Sequence, residues 1–83
     1  MLTVAHRGAS GYAPENTIAS CDKAVEMKAD FIEIDLQLSK DGRIMVIHDD
    51  SVERTTNGKG NVRDLTFQQL RNLDAGSWFH DSF

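Results

Sequence analysis

Within residues 30–38, DFIEIDLQL, apolar and polar residues alternate without a break from Ile32 to Leu38. Ile32, Ile34, Leu36 and Leu38 fall on one side of an extended chain, and Phe31, Glu33, Asp35 and Gln37 on the other. A period of two fits a β-strand, whose successive side chains point to opposite faces, and does not fit a helix. The predicted strand therefore has an apolar face and an acidic face. Asp41-Gly42 follows as a tight-turn signal, and residues 43–48 form a second extended run. The two runs are expected to pair as an antiparallel hairpin. With Asp41-Gly42 as the tip, residue 40 pairs with 43, 38 with 45 and 36 with 47, which returns His48 beside Asp35.

Around this hairpin the chain alternates strand and helix. Residues 2–5 are apolar and partly β-branched, and read as a buried strand ending at His6. Gly8, Ser10, Gly11 and Pro14 mark a loop. A helix is predicted over 16–28, with Asn16 as N-cap. Its buried face carries Ile18, Cys21 and Val25 with Ala24 and Met27, so Cys21 reads as core; Asp22 and Glu26 face water. Residues 50–61 read as a loop shaped by Asn57, Gly58 and Gly60. Thr66 with Gln69 forms a capping box, and Leu65 with Leu70 a hydrophobic staple, for a helix over 67–73 that stops near Gly76. Strand, helix, strand makes a βαβ unit, hence an α/β fold class with parallel strands covered on both sides. Two parallel strands do not close a sheet. A (β/α)8 barrel takes about 250 residues. The expectation is the N-terminal part of a TIM barrel, residues 1–83 forming one segment of a single catalytic domain with the barrel incomplete.

The bulk properties narrow the function. Net charge is −4, the pI is about 5.1 and the signs are interspersed, so no basic stripe exists for nucleic acid. No apolar run approaches a membrane span, and the first residues lack the layout of a signal peptide. Cys21 is the single cysteine, which agrees with a reducing, cytoplasmic location. An 83-residue chain with neither disulfides nor zinc spacings lies near the lower limit for independent folding and reads as part of something larger.

Chemistry is concentrated at the strand ends. His6 ends the first strand, Glu33 and Asp35 lie in the second, and His48 ends the returning arm. Residues i and i+2 of a strand point the same way about 6–7 Å apart, so Glu33 and Asp35 can converge on one cation. A hard cation on two carboxylates can neutralise a non-bridging phosphate oxygen. Two imidazoles can serve as acid and base, since free imidazole titrates near neutrality. Arg7 adds a forked donor for phosphate oxygens. This set suits phosphodiester cleavage.

The strings HRGASGYAPENT (residues 6–17), EIDLQLSKDG (33–42), IHDDSVERTTNGKG (47–60) and LDAGSWF (73–79) resemble, in order, the N-terminal motifs of the glycerophosphodiester phosphodiesterase family. The resemblance implies a TIM barrel that uses Mg2+ or Ca2+ to release glycerol 3-phosphate and an alcohol from a small-molecule glycerophosphodiester. It implies that His6 and His48 are the acid/base pair, Glu33 and Asp35 metal ligands, and Arg7 a phosphate contact. It also implies attack by the neighbouring glycerol hydroxyl, giving a cyclic intermediate that water opens. A further metal-binding glutamate of the family falls on the next barrel strand, outside these residues.

Each residue also has a plainer reading. Alternating acids are commonly a strand's wet face, a terminal histidine a satisfied polar end, and Arg7 a surface ion-pair partner. Glu15 serves equally as a helix-start acid. Trp78 and Phe79 read as packing residues, and nothing is assigned to His80. The plain readings do not explain HRG and HD at neighbouring strand ends. Rival functions are a sphingomyelinase D-like or phosphatidylinositol phospholipase C-like lyase, and a non-catalytic fragment of the same domain. On its own the 83-residue chain is expected to be inactive, with an unpaired sheet edge that offers a route to self-association.

Overall fold

The computed structural model describes residues 2–83. In chain order it contains β1 (Val4–His6), α1 (Ile18–Glu26), β2 (Phe31–Glu33), β3 (Leu36–Leu38), β4 (Ile44–Val46), a 3-10 turn (Val62–Asp64) and α2 (Phe67–Arg71). β1 and β2 pair in parallel with Val4 opposite Phe31, Ala5 opposite Ile32 and His6 opposite Glu33. This is the expected βαβ unit, with α1 as its crossover.

The long alternating strand is divided. It pairs with β1 as far as Glu33, leaves the ladder at Ile34 and Asp35, and resumes as β3 against β4. The break has a local cause. The Asp35 backbone N–H donates to Asn16 Oδ1 at 3.3 Å and its carbonyl accepts from Ile47 N at 2.9 Å. Its donor is thus satisfied by a side chain and its acceptor by the returning arm.

The hairpin register differs by one from that expected. Leu36 faces Val46, Gln37 faces Met45 and Leu38 faces Ile44. A two-residue I′ turn needs positive φ at both central residues, but only Gly42 adopts it, at 77°. The loop is therefore Lys40-Asp41-Gly42. Gly42 N donates to the Ser39 carbonyl at 3.0 Å and Ser39 N to the Arg43 carbonyl at 2.9 Å. Asp41 accepts from Ser39 Oγ at 2.5 Å and from the Phe67 backbone N–H at 2.9 Å. Those bonds lower its pKa and tie the hairpin tip to the start of α2.

α1 is shorter than predicted. Thr17, not Asn16, is the N-cap, in a reciprocal capping box with Ser20. The C-terminus closes as a Schellman motif with Lys28 in the left-handed conformation at φ 60°: Lys28 N donates to Val25 O and Ala29 N to Ala24 O. The buried residues are Ser20 and Ala24, while Ile18 is 81% exposed and Val25 67% exposed. Cys21 is half-buried and free, not a core residue. The helix lies on the loop after β1, an approach close enough to demand small residues. Ser20 Oγ donates to the Arg7 carbonyl at 3.1 Å, and Ala9 N donates to the Ser20 carbonyl at 3.0 Å.

The core sits at the other end, where Val52, Val62 and Leu70 pack with Met45, Ile47, Leu65 and Leu73. The capping box of α2 forms as read, Thr66 with Gln69, and the helix ends at Arg71 with Asn72 as C-cap. After it, Asp74 accepts from the N–H groups of Gly76 and Ser77 and from the Ser77 hydroxyl, which holds its pKa at about 2. Gly58 presses against Leu73, and Gly60 takes φ 108°, so both shape the loop as expected.

Gly8 has φ 78°, and a Cβ there would overlap the Ser20 hydroxyl. Gly8→Ala is expected to cost the intact protein on the order of 2–4 kcal/mol, from left-handed strain plus displacement of α1. Urea unfolding at neutral pH measures it, and an unchanged midpoint would show that the loop–helix contact is dispensable.

Candidate active site

β1 and β2 end side by side, so His6 and Glu33 share a register position and a face. His6 Nε2 lies 3.1 Å from Glu33 Oε1, with both side chains at least half exposed. One residue on, Arg7 turns the chain with φ 57°, which sends its guanidinium back across the strand ends. Arg7 Nε is 3.4 Å from Asp35 Oδ2, an ion pair without hydrogen-bond alignment, and Nη1 donates to Glu15 Oε2 at 3.3 Å. Asn16 holds Asp35 from the other side, donating from Nδ2 to Oδ2 at 3.0 Å. His6 thus meets Glu33, and Arg7 meets Asp35.

His48 arrives differently from the expectation. Ile47, not His48, hydrogen-bonds across to Asp35, a consequence of the shifted hairpin register. The His48 ring turns to its neighbour, with Nδ1 2.8 Å from Asp49 Oδ1. Gln37 Nε2 fixes the backbone here, donating to the carbonyls of His48 and Asp49 at 2.8 Å each.

Three residues not singled out as site residues connect the two halves. Arg54 grips Asp49 through Nε at 2.8 Å and Nη2 at 3.1 Å, and Glu15 through Nη1 at 2.7 Å and Nη2 at 3.0 Å. A continuous chain of contacts therefore runs His48–Asp49–Arg54–Glu15–Arg7–Asp35. Glu15, whose side chain is only 9% exposed, lies between two guanidinium groups. The hydrogen bonds from Arg54 lower its carboxyl pKa against the opposing effect of burial, and the charge of Arg7 adds to the shift. The Asp49 carboxyl is pushed down further, by Arg54 first and by His48 second. Arg54 is raised in turn by both acids.

Glu33 and Asp35 offer hard oxygen donors, the type Mg2+ or Ca2+ selects. Among the described residues, no group of three or more His, Cys, Asp or Glu is gathered to hold a metal ion. The two carboxylates are engaged separately, Glu33 by His6 and Asp35 by Arg7 and Asn16. A cleft of about 100 Å³ opens between the Glu15–Asn16 turn, His48 and Val52. That is smaller than the range of about 300–1,000 Å³ usual for a ligand pocket, while a cleft of about 340 Å³ lies beside His6 and Gly8. No helix among the described residues is long and apolar enough to cross a membrane.

The sequence model of the glycerophosphoryl diester phosphodiesterase family matches residues 6–83. The chain is 59% identical over all 83 residues to a glycerophosphodiester phosphodiesterase of Bacillus subtilis, covering 28% of it. It is 54% identical over 82 residues to one from Caldanaerobacter subterraneus, covering 34%. A crystal structure of the Agrobacterium tumefaciens glycerophosphodiester phosphodiesterase matches the whole chain at a TM-score of 0.96 and 49% identity, over 36% of that enzyme. A phosphodiesterase of Oleispira antarctica, solved with the product sn-glycerol-3-phosphate, matches 94% of this chain at 0.91 and 46% identity, over 32% of its own length. The chain thus spans about a third of the length of its relatives. The fold class, an N-terminal part of a TIM barrel, agrees with these matches.

The sign of the pH dependence follows from the lowered carboxyls. Glu15 and Asp49 lie below their ordinary 4.5 and 3.8, so stabilisation by Arg54 is complete above those values and fades as pH falls through the folded ones. Arg54→Met is expected to cost the intact protein about 1–3 kcal/mol at pH 7, a cost that shrinks as pH falls through the lowered folded values of Glu15 and Asp49. Urea unfolding followed from pH 7 into acid checks this, and a cost that stays constant while both carboxyls protonate would remove the electrostatic account.

Proposed function

Since the chain belongs to the glycerophosphoryl diester phosphodiesterase family, we propose that the protein hydrolyses glycerophosphodiesters to glycerol 3-phosphate and an alcohol. The observation that supports the reading is the placement of two contacts, His6 with Glu33 and Arg7 with Asp35, at and just beyond the paired ends of β1 and β2. A divalent cation, Mg2+ or Ca2+, would be held by Glu33 and Asp35 and would neutralise charge on a non-bridging phosphate oxygen. Arg7 donates to a second phosphate oxygen, its charge kept in place by Glu15 and Asp35. Of His6 and His48, one accepts the proton of the attacking glycerol hydroxyl, and the other delivers a proton to the departing alkoxide. Water then opens the cyclic phosphate with the two roles reversed. The substrate is a small molecule, and the free thiol of Cys21 supports a cytoplasmic setting.

Three outcomes test this reading. Activity of the intact protein on glycerophosphocholine should vanish in excess chelator and return with Mg2+ or Ca2+. Undiminished turnover without a divalent cation would remove Glu33 and Asp35 from metal binding. His6→Ala and His48→Ala should each slow turnover about 10²–10⁴-fold. A p-nitrophenyl ester, whose leaving group needs no proton, should rescue one of them and not the other, and rescue of both would contradict separate acid and base roles.

Residues 1–83 alone should show negligible turnover. Leu36, Leu38 and Ile44 are each more than half exposed, and both sheets have only two strands. Open edges and an uncovered apolar face favour association. Gel filtration and a glycerophosphocholine assay of this segment decide the matter; a monomeric, active species would contradict it.

A further inference from the structure

Arg54 sits in a loop rich in Thr, Asn and Gly, and its side chain is 46% exposed. An arginine so placed usually contributes little, because exposed ion pairs are screened and cost side-chain entropy. This one departs from that pattern in two respects. Two of its nitrogens engage each carboxylate, at 2.8 and 3.1 Å on Asp49 and at 2.7 and 3.0 Å on Glu15. One of those carboxylates, Glu15, is nearly buried and 39 residues away in sequence. The loop itself is anchored from below. Val52 is fully buried in the core two residues before Arg54, and its carbonyl accepts from both the backbone N–H and the hydroxyl of Thr56. The guanidinium is therefore held at a fixed height over the site wall.

Asp49 is the contact that gives this chemical meaning. An ionised carboxylate has no proton to donate, so the 2.8 Å contact requires the hydrogen on His48 Nδ1. That fixes the neutral ring as the tautomer with Nε2 free to accept or deliver a proton. The ring's aim depends on Asp49, and the aim of Asp49 depends on Arg54. Gln37 immobilises the backbone beneath them.

We propose that Arg54 is a positioning residue for His48, acting through Asp49 and anchored on Glu15. It does not touch the phosphate; it sets the tautomer and orientation of the imidazole that does the proton transfer. The same guanidinium fixes Glu15 against Arg7, so the His48 side of the site and the Arg7–Asp35 side keep one spacing. This inference rests on the reading of His48 as one of the two proton-transfer groups.

The test measures kcat and KM on glycerophosphocholine for the intact protein and for Arg54→Met, Arg54→Lys, His48→Ala and the double variant Arg54→Met/His48→Ala. Arg54→Met should lower kcat about 10–100-fold, the usual loss when the group orienting an imidazole is removed, with KM little changed. Arg54→Lys should recover part of the loss, since an ammonium supplies the charge but not the fork. In the His48→Ala background, Arg54→Met should cost less than about 2-fold, because residues acting as a unit are not additive. A purely structural role would cost the same in both backgrounds, and that result overturns the proposal. Should Arg54→Met fail to fold, Glu15→Gln keeps the shape and weakens the anchor. Imidazole 15N shifts should then show His48 moving from a single Nδ1–H form toward a mixture, and an unchanged spectrum with unchanged kcat would also overturn it. If His48→Ala leaves kcat intact, the functional reading falls and this inference with it; if only Arg54→Met does, this inference falls alone.

Discussion

The paired hydrogen bonds between Asn16 and Asp35 set the geometry on which the other contacts are built. Asn16 Oδ1 accepts the Asp35 backbone N–H, and its Nδ2 donates to the Asp35 carboxylate. The first bond removes Asp35 from the parallel ladder and frees its carbonyl for Ile47, so the chain changes partner from β1 to β4. The second aims the carboxylate at Arg7. Asn16 is itself held by its backbone N–H on the Arg7 carbonyl at 2.8 Å, with φ 55°. Arg7 and Asn16 both take left-handed conformations, which cost a non-glycine residue of order 1–3 kcal/mol and persist where surroundings over-determine them. Here the surroundings are identifiable, namely the Ser20 hydroxyl on the Arg7 carbonyl and the Asp35 pair on the Asn16 side chain.

Charge, more than burial, connects the site. Glu15 would be costly as an isolated, nearly buried carboxylate, and two arginines from different segments compensate it. Removing either guanidinium exposes that cost, whereas removing an ordinary surface partner would not. Such a network favours one relative placement of the three segments that carry it, the loop after β1, the strand break at Asp35 and the loop after β4. Whether it adds net stability matters less than that alternatives leave a charge unpaired.

Much of the architecture was legible because it depends on local patterns. The hairpin, the Thr66–Gln69 box and the order strand–helix–strand survive in the structure, the hairpin with its register shifted by one and its first strand divided from β2. So does the meeting of His6 with Glu33, which follows from parallel register. Other features required contacts no pattern encodes. Thr17 displaced Asn16 as N-cap because Asn16 is engaged by Asp35. Of the expected helix face Ala24 is buried, and Ser20 packs on Gly8 and Ala9, a contact no spacing of large apolar residues announces, while Ile18 and Val25 are exposed within this segment. Asp49 and Arg54 carried no individual reading, and Glu15 served equally as a helix-start acid. Their signal was present only as acids and a base lying near PENT and HDD, without a rule to join them across 39 residues.

Apolar packing and directional polar bonds divide the work within this segment. Met45 and Ile47 of the returning arm face the core with Val52, Val62 and Leu70, while Ile44, Val46, Leu36 and Leu38 on the opposite face stay open. Within this segment the core supports the loop that bears Arg54. Hydrophobic packing is non-directional and sets a segment's place only to within what side-chain shapes allow. The forked bonds of Arg54 and the paired bonds of Asn16 are directional, and they act where the core does not reach. A small core fixes the height of one wall, and hydrogen-bonded charge transmits that position to the residues that would handle the phosphate.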